Sequence, residues 1–265
     1  MKKIFALILL IVLFNACSNY IDTISLTPEQ HLEYAVSLYN DEDYIESKKE
    51  FESILIQYPG NAVNDDARYY LGMTYFNSDQ FLLAAYEFSK LINDIPASPF
   101  VPDAQFMLAE SYYQLSPAYQ LDQRYTEKAV EEFQAFIDFF PLNAKVEEAE
   151  NKIKEMNYKL AQKAYQQATI YEKMEYYTAA LMYFQSVIDT YHDTEFAPLA
   201  IEKRVDILIM KERIQEAVKD IAEFSDFFFV IGSKNSSNSL RLVEVAKNYG
   251  SSKAILIDEI DTFDP

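Results

Sequence analysis

The chain has 265 residues, of which 50% are hydrophobic, and its 42 acidic and 23 basic side chains give a net charge of −19. This apolar content excludes a chain that is disordered throughout, and only four glycines are present to form the turns that a strand-rich fold needs. The composition therefore predicts an all-α protein. Its acidity would repel nucleic acid and anionic lipid head groups, so no nucleic acid is expected as a partner.

The first 16 residues have the pattern of a secretory signal peptide. Two lysines precede an apolar run from Ile4 to Phe14, and a small residue stands directly before Cys17, the only cysteine. That run is too short to span a bilayer as a permanent helix. A lone cysteine after a signal resembles a bacterial lipoprotein box, which implies that Cys17 becomes the first residue of the mature chain and carries acyl groups such as palmitate. An ordinary secreted protein with an incidental cysteine is the alternative.

Residues 17–27 have the composition of a short tether between this lipidated cysteine and the folded body. Ser18 follows Cys17, and by resemblance to enterobacterial lipoproteins this implies transport onward to the outer membrane. The acyl chains would anchor the protein firmly, since each buried CH₂ contributes about 0.8 kcal/mol. The sequence thus predicts a protein that is held at a membrane without spanning it.

The folded body is predicted to begin with a helix hairpin. Thr27 and Pro28 supply an N-cap and a first-position proline, and the first helix ends near Asn40. The second helix is predicted from about Asp43 to Tyr58, directly before a proline-glycine pair.

The same hairpin recurs at a spacing of 37 residues. This step takes Ala35 to Gly72 and Phe51 to Phe88, so one supersecondary unit is repeated. A small residue is needed where the two helices of a hairpin cross closely, and five positions supply it: Ala35, Gly72, Ala109, Ala168 and, less well, Val205. No hairpin can bury its apolar face alone, so neighbours must stack. The pattern predicts a superhelical solenoid of five helix hairpins, with repeats one to three in residues 28–142 and repeats four and five in residues 143–230.

Two insertions interrupt this regular spacing. Eight extra residues, around Ser116 to Tyr125, extend the turn of the third repeat, and 14 extra residues precede Ala168 in the fourth. Because 14 residues are close to four helical turns, they lengthen a helix without rotating its buried face. One long helix is predicted from about Lys145 to Met174. Residues 231–265 are predicted to be a linker and an acidic tail, partly disordered, with a short helix from about Leu240 to Asn248.

No group of residues has the pattern of a catalytic or metal site. His31 and His192 lie in different repeats, and His192 stands where other repeats end in proline. Carboxylate pairs such as Asp65 and Asp66 are typical of a solvated helix face. We therefore expect no enzyme activity, no cofactor and no metal. The abundant tyrosines and phenylalanines could form a stacking platform for sugars, but at helical spacing they are more typical of a core.

The remaining candidate is a protein-binding groove on the inner face of the first helices, whose side chains project into the concave surface of such a superhelix. By motif position, the expected lining residues are Leu32, Tyr39, Tyr69, Met73, Phe76, Phe106, Glu110 and Tyr113. Asn40, Asn77 and Gln114 recur at the same spacing, and their amides could hydrogen-bond an extended peptide backbone. The alternative for Asn40 and Asn77 is that they only cap their helices.

The spacing resembles that of tetratricopeptide repeats, with a small residue, a tyrosine three positions later, a second small residue and a phenylalanine. The tyrosine is present as Tyr75, Tyr112 and Tyr171. With its lipoprotein signal, extended turn and long helix, the chain resembles the BamD family from about Thr27 to Phe229. The string Asp122-Gln123-Arg124 is similar to one found in that family.

This resemblance implies a non-catalytic lipoprotein scaffold of the β-barrel assembly machinery, lipid-anchored at the periplasmic face of the outer membrane. Repeats one to three would contact unfolded outer-membrane proteins or other assembly lipoproteins. Repeats four and five would dock on the BamA-like barrel insertase, through Tyr183 and nearby helix positions. Two other interpretations stay open: a periplasmic repeat adaptor for cell-envelope enzymes, and a glycan-binding lipoprotein.

Overall fold

The computed structural model describes residues 25–258, so the predicted signal peptide and Cys17 lie outside the described residues. Within this range the chain forms eleven helices and two strands. The described residues divide into two compact units, residues 25–111 and residues 112–258.

Unit 1 consists of two helix hairpins and the start of a third. Its helices are α1 (Pro28–Asn40), α2 (Tyr44–Gln57), α3 (Asn64–Asn77), α4 (Phe81–Asp94) and the first part of α5 (Val101–Leu115). Thr27 and Gln30 form a capping box at the start of α1. The predicted bounds of the first two helices are confirmed to within two residues.

The turns of the hairpins repeat as closely as the helices do. Glu42 and Asp79 lie 37 residues apart, and both have a left-handed backbone with φ near +60°. Glu175 and Glu212 have the same conformation at the same spacing in unit 2. Glycine is the usual residue in this left-handed conformation after a helix. Here glutamate or aspartate adopts it, so the tight turns form although the chain has few glycines.

The core of unit 1 lies where small residues meet aromatic rings. Ala35, Phe51, Ala84 and Phe88 are each 0% exposed. Gly72 faces the Phe88 ring so closely that an added Cβ would lie 2.6 Å from the ring atom Cε1. The close helix crossing that the small residues predict is therefore present.

Unit 2 contains the end of α5, then α6 (Arg124–Phe139), α7 (Val146–Lys173), α8 (Tyr177–Thr190), α9 (Phe196–Met210) and α10 (Ile214–Ala222). The predicted long helix is confirmed, since α7 has 28 residues and agrees with the expected bounds to within one residue at each end. Phe133, Ala168 and Phe184 are each 0% exposed. From α1 to α10 the all-α repeat architecture predicted from the sequence is confirmed.

The end of the described chain differs from the prediction. It forms a strand, a helix and a second strand: β1 (Phe227–Ile231), α11 (Ser237–Asn248) and β2 (Lys253–Ile257). The two strands are parallel, with Phe227 opposite Lys253. The expected linker is therefore wrong for residues 231–257, although its short helix is present. The polar string between β1 and α11 is only the loop of a βαβ unit, whose strands are the short apolar runs on either side.

This βαβ unit packs against the last helix of the repeats. Val218 and Ala222 of α10 form one buried cluster with Val245, Ala246 and Ala254.

No helix within residues 25–258 combines the length and the apolar character that crossing a membrane requires.

Candidate functional site

The inner face of unit 1 is tied together by a hydrogen bond between two of the predicted groove residues. The Asn77 side-chain amide donates to the Tyr39 hydroxyl at 2.9 Å, which joins the first helices of repeats one and two. The Tyr39 ring also meets Tyr70 edge-on, with ring centroids 5.5 Å apart. Burial raises the pKa of Tyr39. Asn77 therefore hydrogen-bonds to a neighbouring repeat. This role differs from both predictions for Asn77, which were peptide binding and helix capping.

Tyr69 is partly buried, and its ring packs against two phenylalanines of unit 1. Its ring stacks on Phe100, with centroids 4.6 Å apart, and tilts against Phe88. Burial, with a smaller effect of the nearby Asp103 carboxylate, raises the pKa of Tyr69 to about 12. This ring contributes mainly to packing between neighbouring helices.

The other predicted residues of unit 1 differ in exposure. Leu32, Met73, Phe76 and Glu110 are partly buried, and Asn40 is exposed at the end of α1. Phe106 is only 4% exposed, so its assignment to the groove surface is wrong. It is buried although it shares its repeat position with the partly exposed Tyr69, 37 residues earlier. The accessible surface is thus carried by Leu32, Met73 and Phe76, with Tyr39 beside them.

In unit 2, Tyr113 lies in an acidic cleft. Its hydroxyl donates to Glu155 at 2.8 Å, and the Lys152 ammonium lies 4.1 Å from its ring centroid. The cleft has a volume of about 440 Å³ and is also lined by Glu147 and Glu148. Gln114 is exposed. Three carboxylates around one ammonium make this cleft suited to a basic or hydrogen-bond-donating segment.

The extended turn of repeat three is held by a chain of hydrogen bonds that the sequence analysis did not identify. Lys159 of α7 donates to Ser116 at 2.8 Å, Ser116 lies 2.6 Å from Thr126, and Thr126 donates to Gln123 at 2.7 Å. Gln123, which is 5% exposed, donates in turn to the Ala118 carbonyl. The turn is therefore an ordered surface. The available signal in the sequence was a glutamine and a threonine, Gln123 and Thr126, at the end of the long turn.

Tyr183, the predicted docking residue, lies on the surface of α8. It is 37% exposed and stacks on Tyr171, with centroids 4.7 Å apart and ring planes 7° from parallel. A hydrogen bond with Tyr171 raises the pKa of Tyr183. The neighbouring Met182 is 70% exposed. An aromatic pair beside an exposed methionine is a common composition for a protein-binding surface.

Met182 also borders a cleft of about 560 Å³ between α8, α9 and α10. Leu181, Met182 and Leu208 supply its apolar lining, and Arg204 and Asp189 add charge. Arg204 is fixed in place, since it donates to Asp220 at 2.9 Å and to the Leu181 carbonyl at 2.6 Å. The cleft is thus preformed. Sequence reasoning missed Arg204, because its partner Asp220 lies on the other helix of the fifth repeat.

The histidines play no part in these surfaces. His31 is buried and lies 2.6 Å from the Glu50 carboxylate, and His192 is exposed. In the part of the chain that the structure describes, no three His, Cys, Asp or Glu side chains are grouped so that they could hold a metal ion.

Comparison with protein families and with curated proteins gives matches of two kinds. A family model described as YfiO, outer membrane lipoprotein, matches residues 25–221. The 4-hydroxy-3-methylbut-2-enyl diphosphate reductase of Tropheryma whipplei is 50% identical over 60 residues, which are 23% of this chain and 19% of the reductase. The reductase of Corynebacterium glutamicum is also 50% identical over 60 residues, or 18% of its length. The chain thus matches about a fifth of the length of these curated relatives.

Solved structures of helical repeat proteins are also similar. A thermophilic TPR protein of Thermus thermophilus is 18% identical, with a TM-score of 0.36, over 83% of this chain and 98% of its own. A tetratricopeptide repeat protein of Parabacteroides merdae is 12% identical, with a TM-score of 0.37, over 84% of this chain and 80% of its own. Similarity at this level says nothing about partners.

Proposed function

This chain belongs to the YfiO family of outer membrane lipoproteins, and from that premise we propose that it is a non-catalytic scaffold of the β-barrel assembly machinery. The family match over residues 25–221, which covers all ten repeat helices except the end of α10, is the observation that carries the proposal. The scaffold is anchored by acyl chains on Cys17 and faces the periplasm.

We assign the binding of unfolded outer-membrane proteins, or of other assembly lipoproteins, to unit 1. The partly buried Leu32, Met73 and Phe76 offer apolar contacts on the first helices. Flexible methionine and aromatic side chains suit a surface that accepts many sequences. Because the Asn77 amide is bonded to Tyr39, recognition here relies more on these apolar contacts than on a row of amides.

We assign docking of the BamA-like insertase to the α8 surface of unit 2. Tyr183 and Met182 supply exposed apolar area, and the adjacent cleft is fixed by the Arg204–Asp220 pair. A preformed surface binds a permanent partner with little loss of side-chain entropy. Repeats that bind a changing substrate and repeats that bind a fixed partner would then occupy different units.

Photo-crosslinking from single positions tests both assignments in cells. A photoreactive residue at Met182 is expected to give an adduct with the barrel insertase, and one at Met73 an adduct with newly made outer-membrane proteins. Leu142, which is 99% exposed in unit 2, is the control position for both. Affinity purification of the tagged protein that recovered no barrel insertase, together with no adduct at Met182, would exclude the proposed function.

The similarity to reductases leads to no second proposal. It covers 18–19% of those enzymes, so most of the enzyme has no counterpart in this chain.

A further inference from the structure

The helix α4 of unit 1 has an outer face that no part of the described chain covers. Leu82, Leu83 and Tyr86 are 54%, 45% and 54% exposed. They stand at positions i, i+1 and i+4 of one helix, so they share one side. The buried residues Ala84, Ala85, Phe88 and Leu91 of the same helix face the core.

The charges on this face differ from those of the chain as a whole. Besides the three apolar residues, only Asn93 and Asp94, at the last turn, are exposed on α4. Glu87 points elsewhere, since it pairs with Arg68 at 2.9 Å and both side chains are mostly buried. Lys90 lies beside the apolar residues, with its ammonium 5.2 Å from the Tyr86 ring centroid. In a chain of net charge −19, this is a face with one cation and no acid before its last residue.

Leucine, tyrosine and lysine on one helix face are the composition of a helix that lies at a membrane interface. Leucines enter the acyl boundary, tyrosine sits at the level of the head groups, and lysine extends its ammonium toward the phosphates. A protein partner would also accept the leucines, so composition alone does not choose between the two.

The short segment between Cys17 and α1 favours a membrane over a protein as the partner of this face. Only ten residues, 18–27, separate Cys17 from Pro28. Even fully extended they reach about 35 Å, at about 3.5 Å per residue. A lipid on Cys17 therefore keeps every face of unit 1 at a high effective concentration near the bilayer. An apolar face on which the only exposed acid of α4 is Asp94, at its last residue, meets less repulsion from anionic head groups than a face rich in carboxylates.

We propose that the outer face of α4, formed by Leu82, Leu83, Tyr86 and Lys90, rests on the phospholipid surface and fixes the orientation of unit 1 on the membrane. This inference rests on the anchor in the proposed function, and it adds a second, weaker membrane contact. The tether alone would leave unit 1 free to rotate, whereas two contacts set which face turns toward the periplasm.

The absence of tryptophan from the chain gives a direct test. In Leu82→Trp the new indole is the sole tryptophan, so its emission reports only this face. The mature chain from Ser18 is attached through an N-terminal hexahistidine segment to vesicles of phosphatidylethanolamine and phosphatidylglycerol that carry a nickel-chelating lipid. Attachment then does not depend on lipidation of Cys17. Leu83→Trp is a second probe, and Leu142→Trp, in unit 2, is the matched control.

On these vesicles we expect the emission of Leu82→Trp and Leu83→Trp to shift to shorter wavelength and to lose most of its intensity when brominated phosphatidylcholine is included. Leu142→Trp should show neither change. Unshifted emission from both probes on vesicles that carry the attached protein would overturn the inference and leave the scaffold function intact. A shift that occurs only after the barrel insertase is added would also overturn it, because a protein would then cover this face. Circular dichroism of each variant establishes that the helices are retained.

Discussion

The substitution Gly72→Ala tests the closest helix crossing in unit 1. Gly72 is the second of the small residues that define the repeat, and it faces the ring of Phe88. An added Cβ would lie 2.6 Å from one ring atom and 2.9 Å from two others. Contacts between real Cβ atoms and their neighbours are almost never this short. Phe88 is 0% exposed, so its ring has no solvent-facing space into which to move.

Two opposing effects set the size of the change. Alanine is a better helix former than glycine by about 1 kcal/mol, which stabilises the variant. Overpacking a well-filled core costs about 1–3 kcal/mol, because side chains leave their rotamers and backbones shift. The difference is a net loss of about 1 kcal/mol in the free energy of unfolding. We expect Gly72→Ala to lower the midpoint of urea denaturation, monitored by helical circular dichroism.

A double-mutant cycle isolates the clash from the helix propensity. Phe88→Leu removes the ring and is destabilising by itself. In a chain that already carries Phe88→Leu, Gly72→Ala should no longer be destabilising, and its effect on the free energy of unfolding should approach the gain expected from helix propensity. The coupling free energy between the two sites is then about 1–2 kcal/mol. If Gly72→Ala alone raised the free energy of unfolding by the whole gain expected from helix propensity, the close packing of Gly72 against Phe88 would be refuted.

Three further predictions concern charge, titration and turn geometry. Arg204→Ala should lower the free energy of unfolding by about 2–3 kcal/mol in chemical denaturation, because it leaves the mostly buried Asp220 unpaired, whereas Arg241→Ala in an exposed pair should cost less than about 0.5 kcal/mol. Because the pKa of Tyr69 is raised to about 12, folding favours its neutral form. The stabilisation that results from this preference is fully present below pH 10 and is lost as the pH rises toward 12. In thermal melts across that range, Tyr69→Phe should therefore lose less stability than the wild type. Asp79→Gly should raise stability by about 0.5–1 kcal/mol, since φ is +58° there, and an unchanged melting temperature would contradict the strain.

The sequence predicted what depends on local periodicity. The bounds of α7 followed from the 14 extra residues, close to four helical turns, between Pro141 and Ala168, and the hairpins followed from a 37-residue step. Side-chain assignments were weaker, because motif position gives a helix face but not its depth. Phe106 shares a motif position with the partly exposed Tyr69, yet it is 4% exposed. Its depth depends on which neighbours pack over that face, and this information lies in distant parts of the chain.

The βαβ unit was missed for a different reason. Two five-residue apolar strands carry no helical period, and each is too short to be told from the end of a helix by pattern alone. Polar residues between them resembled a linker, although Ser236 caps α11 by accepting from the Ser239 backbone. Pairing β1 with β2 requires a contact between residues about 26 positions apart, which local patterns do not encode.

The two interruptions of the repeat pattern belong to one structural feature. The 14 extra residues lengthen α7 at its N-terminal side, and the eight extra residues extend the turn before α6. Lys159 of the lengthened helix donates to Ser116, and Lys163, one turn later, donates to the Leu121 carbonyl of the same turn. A long turn alone would lose much conformational entropy on ordering, and a lengthened helix alone would leave its added face without partners. Each insertion supplies the contacts that the other needs, so loss of the α7 donors should loosen the turn while leaving the hairpins on either side folded.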